Sequence, residues 1–340
     1  MLIWPICSMH NRRRGWLMLL GAMALTAVAV VLGICLGATQ VSPAAFFQAL
    51  LSGDTASPAY RIVVHSRLPR VLGALLAGSA LAVSGAILQA VLQNPLASPN
   101  IIGVNTGAGL LVLLCSAFFP SQQGLLPFAA FVGALLTALV IFALAMGNGV
   151  SKVTLVLTGI AMSSILGAGM NCMMILYPDA YIGASTFLVG GLAAVTLKGL
   201  RFAAGYILVG LALAIILRRD MNIVALGSSA ARALGMNVTA IRFLLIVTAA
   251  ILAGAAVSFA GLLGFVGLIV PHAIRFLLGG DNIFLVPISA FGGAAFVTFC
   301  DLLSRLAFAP YELPVGILLS FIGGPFFIYL VMRSRRNGHD

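Results

Sequence analysis

Charge is what this sequence has least of. Aspartate, glutamate, lysine and arginine make up only 7% of its 340 residues, against about 25% in a soluble domain. It has seven carboxylates and two lysines, Lys152 and Lys198. Those lysines follow Ser151 and Leu197, so there is no GxxxxGK(S/T) phosphate-binding loop. The few acids and the four histidines are spread along the chain, without the grouping a membrane-embedded enzyme would need. The five cysteines, Cys7, Cys35, Cys115, Cys172 and Cys300, lack paired spacing. They read as small apolar residues, not as disulfides or metal ligands. Short alternating segments are absent too, which excludes an outer-membrane barrel.

What the chain has is continuous hydrophobicity: 62% apolar residues and a mean hydropathy of +1.17. The apolar runs are about 20 residues long, the length that spans hydrocarbon as a helix. They predict an all-α polytopic membrane protein forming a single transmembrane domain over 1–340. Ten spans are expected, at about 16–38, 69–92, 101–119, 126–147, 153–176, 202–217, 243–262, 264–278, 283–303 and 313–332. The run after Arg12-Arg13-Arg14 exceeds a signal peptide's apolar core of about 7–15 residues and reads as a retained first span. A short surface helix is expected at Pro43–Leu51, and an outer loop with a short helix over 177–200.

The net charge of +11 points to topology, not to nucleic acid. The basic residues flank apolar runs and form no single patch. With both termini cytoplasmic, twelve basic residues fall inside and six outside: Arg61, Arg67, Arg70, Lys198, Arg201 and Arg305.

Residues 67–109 are the organising stretch. RLPR leads into a helix of Gly, Ala and Ser, which breaks at Asn94-Pro95 and Ser98-Pro99-Asn100 before a second apolar run. Small residues on a membrane helix favour packing against other helices. A shift of 176 residues aligns Gly78 with Gly254, Ala80 with Ala256, Gly85 with Gly261, Pro95 with Pro271 and Gly103 with Gly279. This suggests an inverted repeat of spans 2–5 and 7–10, a common transporter architecture.

A polar insert at 221–242 interrupts the spans. Leu226, Ala230, Ala233 and Leu234 recur there at near-helical spacing, between Gly227 and Gly235, as in a short amphipathic helix. His272, beside Pro271, has no partner at metal-ligand spacing and reads as part of a broken helix end.

Five stretches resemble the FecCD-type permease subunits of type II ABC importers, which take up iron chelates, haem and vitamin B12. They are RLPR at 67–70, SGAILQAVLQNPLASPNIIGVNTGAG at 84–109, ALGSSAARALGMNV at 225–238, GFVGLIVPHAIRFLLGGDN at 264–282 and ELPVGILLSFIGGPFFIYL at 312–330. The resemblance implies a ten-span permease fold in a bacterial cytoplasmic membrane. It implies a dimer with a second copy or a paralogue, two cytoplasmic ATPases that bind ATP and Mg, and an extracytoplasmic substrate-binding protein. The chain would hold no cofactor or metal of its own, and would contact membrane lipid but no nucleic acid.

By the same resemblance, Arg67, Arg70 and Arg305 would receive acidic groups of the binding protein. The competing readings are lipid-headgroup snorkelling or an internal pair, for example Arg305 with Asp301, one helical turn away. Gly227, Ala230, Arg232, Leu234 and Gly235 would contact the ATPase. Asn94 and Leu96 match positions that narrow the cytoplasmic gate, Ser151 and Lys152 fall at a second gate, and Ser163, Asn171 and Ser320 are candidate pathway residues. The cargo implied is a ferric siderophore, with haem or cobalamin as alternatives. An ion-coupled carrier using Asp301, Glu312 or His272 is the competing mechanism.

Overall fold

The computed structural model describes residues 9–37, 44, 48, 51–53, 60–146, 152–307 and 311–336; among them there are helices and no strand. Helix α1 is Met9–Cys35. A π-helical segment, Arg61–Arg67, runs directly into α2, Leu68–Leu92, with Pro69 in its first turn where the missing N–H costs nothing. After a turn and a 3₁₀ segment at Pro99–Ile102 come α3, Val104–Phe118, α4, Leu126–Met146, and α5, Lys152–Leu176. Next are α6, Pro178–Val189, α7, Leu197–Ile216, α8, Arg218–Ala225, and α9, Ser228–Ala233. The chain continues through α10, Val238–Ala260, α11, Val266–Leu278, α12, Asn282–Leu306, and α13, Val315–Arg336.

Polar side chains start several of these helices by accepting otherwise unpaired N–H groups. Thr196 accepts from Gly199 N at 3.2 Å, Asn237 from Ala240 N at 3.1 Å and Asp281 from Ile283 N at 3.0 Å. The cap at Thr196 starts α7 earlier than the sequence suggests, so Lys198 and Arg201 belong to its first turns and not to a loop. The expected helix at Pro43–Leu51 lies largely outside the described residues.

Among the described residues, seven helices are long and apolar enough to cross a membrane: α1, α2 with its π-helical lead, α4, α5, α7, α10 and α12. The apolar helices α3, α11 and α13 are shorter. The ten apolar runs of the sequence fall on these helices.

Helix α2 runs through the middle of the bundle, buried along nearly its whole length against α10, α11, α12 and α7. Its glycines make this possible. A Cβ at Gly78 would strike the carbonyl of Gly293 in α12, and one at Gly85 the carbonyl of Gly267 in α11. Helices of similar apolarity to lipid associate through such close backbone approach.

The inverted repeat is visible in the packing. Exchanging α2, α3, α4 and α5 for α10, α11, α12 and α13 maps one set of contacts onto another. Helix α2 packs on α12 as α10 packs on α4; α3 meets α4 and α5 as α11 meets α12 and α13. The copies run in opposite directions, since Gly73 of α2 lies beside Phe259 of α10 while Ser84 donates to Ala249 O. The fixed shift of 176 does not persist, however. Pro95 occupies a turn whereas Pro271 lies inside α11, because the α2–α3 connection is longer than the α10–α11 connection.

Gly85→Val should lower stability by about 1–3 kcal/mol, as overpacked cores do. Gly167→Ala, where a Cβ meets nothing within 4 Å, should be neutral or slightly stabilising. Thermal unfolding of the detergent-purified protein checks both.

Candidate functional site

The bundle has two chemically distinct ends. One carries α8, α9 and the turn after α2. The other carries the π-helical lead, α6 and the α10–α11 turn.

At the second end lie the three arginines expected to dock a partner, and the structure turns them inward. Arg67, Arg70 and Arg305 are 4%, 7% and 4% exposed. The role of Arg67 and Arg305 follows from the last carbonyls of α1, which lack intrahelical partners. Leu36 N donates to Leu32 O at 2.8 Å, Arg305 Nη2 to Gly33 O at 3.2 Å, and Arg67 Nη1 to Ile34 O at 2.7 Å and Cys35 O at 2.8 Å. Arg70 instead holds α2 to α12. Its Nε donates to Asp301 Oδ1 at 2.8 Å and Oδ2 at 3.0 Å, and its Nη1 to Glu312 Oε2 at 2.5 Å. Arg305 Nε lies 3.2 Å from Asp301 Oδ2, the pair read one turn apart in the sequence. Only Glu312, its side chain 44% exposed, carries the network to the surface.

At the first end, the amphipathic insert is two helices, not one. Helix α8 was unforeseen. Helix α9 is shorter than the 226–237 pattern because Gly227 and Gly235 take φ +105° and +78°, which interrupts the helix on both sides. Ala231 is buried, while Ala230, Arg232, Leu234 and Gly235 are exposed and Gly227 is half-buried. Two large apolar side chains point away from the bundle: Leu226, 64% exposed, and Leu234, 65% exposed.

The turn after α2 begins with Gln93 in the left-handed region, φ +49°. Asn94 Oδ1 accepts from Leu96 N at 2.9 Å, fixing the turn. Leu96 packs against the cluster of Leu268 and Ile269 of α11 and Leu330 of α13, which Phe265, Phe296, Phe326 and Phe327 also border. Ser163 is half-buried, 3.5 Å from Thr106 Oγ1, between α5 and α3. Asn171 and Ser320 are exposed on α5 and α13, and Ser320 Oγ donates to Gly316 O at 2.9 Å. Ser320 also lines a shallow cavity of about 410 Å³ with Val189, Gly316, Ile317 and Phe321. Ser151 lies outside the described residues, and Lys152 begins α5.

His272 is in the body of α11, edge-to-face with Phe326 at 6.1 Å, and not at a broken helix end. The backbone group needing help is elsewhere. Pro271 cannot donate to Gly267 O four residues back, and Gln89 Nε2 donates to that carbonyl at 3.2 Å. Gln89 Oε1 accepts from Arg275 Nη1 in turn. Pro287 in α12 likewise frees Ile283 O, which accepts from Arg218 Nη1 at 3.3 Å. The sequence signal for these ties was a proline inside an apolar run, with a lone polar side chain on another. Among the described residues no three His, Cys, Asp or Glu groups come together as a metal site.

Removing one partner of a buried ion pair costs about 3–5 kcal/mol. Asp301→Ala should therefore unfold the purified protein at markedly lower temperature, while Glu312→Gln, at the exposed edge, should cost under about 1 kcal/mol. Differential scanning fluorimetry on both variants checks the contrast.

The comparisons with known proteins agree with this geometry. The model of the FecCD transport family matches residues 25–333. The iron-uptake system permease protein FeuB of Bacillus subtilis is 36% identical over 96% of this chain and 98% of its own. The hemin transport system permease protein HmuU of Yersinia pestis is also 36% identical, over 94% and 96%. A solved structure described as an inward-facing metal-chelate type ABC transporter superposes with a TM-score of 0.80 at 27% identity, over 93% of this chain and 98% of that one. The fold is thus that of a type II ABC importer permease, and the chain belongs to the FecCD transport family.

Proposed function

We propose that this chain is the membrane-spanning permease subunit of an importer that carries a ferric siderophore into the cytoplasm, driven by ATP hydrolysis in separate subunits. The observation that carries the reading is the α8–α9 end. Leu226 and Leu234 stand out from the bundle beside the exposed Arg232, a small apolar surface with a cation at its edge. Such a patch suits the groove of a partner protein more than open water. In this reading Gly227, Ala230, Arg232, Leu234 and Gly235 contact one of two ATPases, which bind ATP and Mg.

In this reading this end and both termini lie in the cytoplasm of a bacterial inner membrane, which the two-to-one excess of basic residues on that side supports. A substrate-binding protein docks at the other end. There Arg67, Arg70 and Arg305 shape the surface from one layer beneath it, and Glu312 reaches solvent. Asn94 and Leu96 narrow the cytoplasmic gate, with Ser151 and Lys152 at a second gate. Asn171 and Ser320, exposed on apolar helices, line a pathway shared with a second permease copy or paralogue. A polar amide facing hydrocarbon would be costly, and one facing a water-filled path is not. Ser163, tied to Thr106, is a packing residue bordering that path.

Haem is the second cargo reading, because the haem permease is as similar as the iron-uptake one. Ion coupling is disfavoured: Asp301 is committed to two arginines and Glu312 to one.

Uptake of labelled ferric siderophores, haem and cobalamin is to be compared in a strain with and without this chain. Ferric siderophore uptake should require it and vanish on replacing the Walker lysine of the partner ATPase. Uptake that survives that replacement would refute the ATP-driven reading. Leu234→Asp should abolish co-purification of the ATPase, and normal co-purification would count against the contact surface.

A further inference from the structure

The exposed face of α9 explains how a motor protein could hold this chain. It does not explain how a movement there would reach the rest of the bundle, because α9 is a helix of six residues packed mainly on α8 and α10. Helix α8 is differently placed. It is bound on both flanks by side-chain hydrogen bonds between residues far apart in sequence.

On one flank, Gln93 Nε2 donates to Val224 O at 2.7 Å. Gln93 ends α2 and opens the turn containing Asn94 and Leu96. On the other flank, Asn222 meets the start of α12 three times. Its Nδ2 donates to Asp281 Oδ1 at 2.8 Å, and its Oδ1 accepts from Asn282 N and Asn282 Nδ2, both at 2.8 Å. One turn earlier on α8, Arg218 donates to Ile283 O, the carbonyl that Pro287 leaves without a helical donor. Asp281 is itself the N-cap of α12, so the clasp grips the helix where its own ladder begins.

From these contacts we infer that α8 is the rigid link between the motor-facing α9 and the transport core, and that Asn222 and Gln93 are its positioning residues. Asn222 ties α8 to α12, and Gln93 ties it to the turn after α2. Helix α2 in turn grips α11 through Gln89, Gly267 and Arg275. A displacement of α8 is thereby delivered to both halves of the inverted repeat at once: α2 in the first, α12 in the second. A single apolar contact could slide, whereas the amide of Asn222, donating once and accepting twice, fixes direction as well as distance.

The inference rests on the importer reading, and its test separates the two. The full complex with its ATPases and binding protein is reconstituted in proteoliposomes. Iron or haem imported per ATP hydrolysed is measured with whichever of iron-loaded ferrichrome, iron-loaded enterobactin and haem the wild-type complex imports. Asn222→Asp sets a carboxylate against Asp281. It should leave ATPase co-purification and basal hydrolysis intact but cut import per ATP by about fivefold or more, on the scale of one lost charge-assisted hydrogen bond. The exchange Asn222→Asp with Asp281→Asn restores an amide facing a carboxylate. It keeps a capping oxygen for Ile283 N, and should return the ratio to within about twofold of wild type.

A wild-type ratio in Asn222→Asp, or an exchange variant no better than the single one, overturns the inference. If Asn222→Asp does not assemble, Gln93→Met decides, since it removes the amide that donates to Val224 O and leaves the Asn222 clasp untouched. A lowered import-to-hydrolysis ratio supports the link and an unchanged one overturns it. A wild-type complex that imports none of the three cargoes sinks the importer reading, and this inference with it.

Discussion

The constraint on which this structure depends is that a backbone carbonyl surrounded by hydrocarbon must find a donor inside the protein. A helix satisfies all but its ends and the positions facing its prolines. Those are the places where this chain spends its scarce charge. Arg67 and Arg305 close the C-terminus of α1, where the helix dipole also favours a cation. Gln89 and Arg218 take the two carbonyls that Pro271 and Pro287 set free. Each donor comes from another element, so satisfying the backbone also ties helices together. Burying arginines would be costly in isolation. It is offset because Asp301 and Glu312 neutralise two of the charges and helix-end carbonyls accept from the third.

Packing follows from the same medium. Lipid tails offer no hydrophobic drive for one helix to prefer another, so close backbone approach has to supply the attraction. The approach of Gly78 to Gly293 and of Gly85 to Gly267 places α2 at the centre. Helices with fewer such approaches stay outside: α5 meets a neighbouring backbone closely at Gly159, against Ile101 O, and is little buried elsewhere, with Asn171 exposed. The division between a glycine-lined centre and an apolar, partly polar exterior is what leaves α5 and α13 available to other surfaces.

The fold was legible in the sequence because its signals are long. Runs of about 20 apolar residues and the breaks at Asn94–Asn100 mark helices by length alone. The shorter features were less so. Helix α8 is only eight residues and polar, with no apolar run to announce it. The repeat was legible in α2 and α10 but was misaligned at the prolines, because the connections between the paired helices differ in length. The arginines show the limit most clearly. Their position at span ends could be read from sequence, and so could the Arg305–Asp301 pair. That Arg67 reaches the end of α1 could not, since it joins residues more than thirty apart with no periodic signal between them.

The same arginines bear on where energy can enter. A carrier driven by protons or sodium needs a carboxylate whose charge is free to change within the membrane. Asp301 is held by Arg70 and Arg305, and neutralising it would leave two buried cations without their shared partner. The network therefore resists the event an ion-coupled cycle requires. The opposite end of the bundle has the complementary property. Leu226 and Leu234 are largely exposed, and α8, next to them in the chain, is bonded to both α2 and α12. Work done on that surface meets a hydrogen-bonded path into both repeats, whereas work done on Asp301 would first have to break the fold.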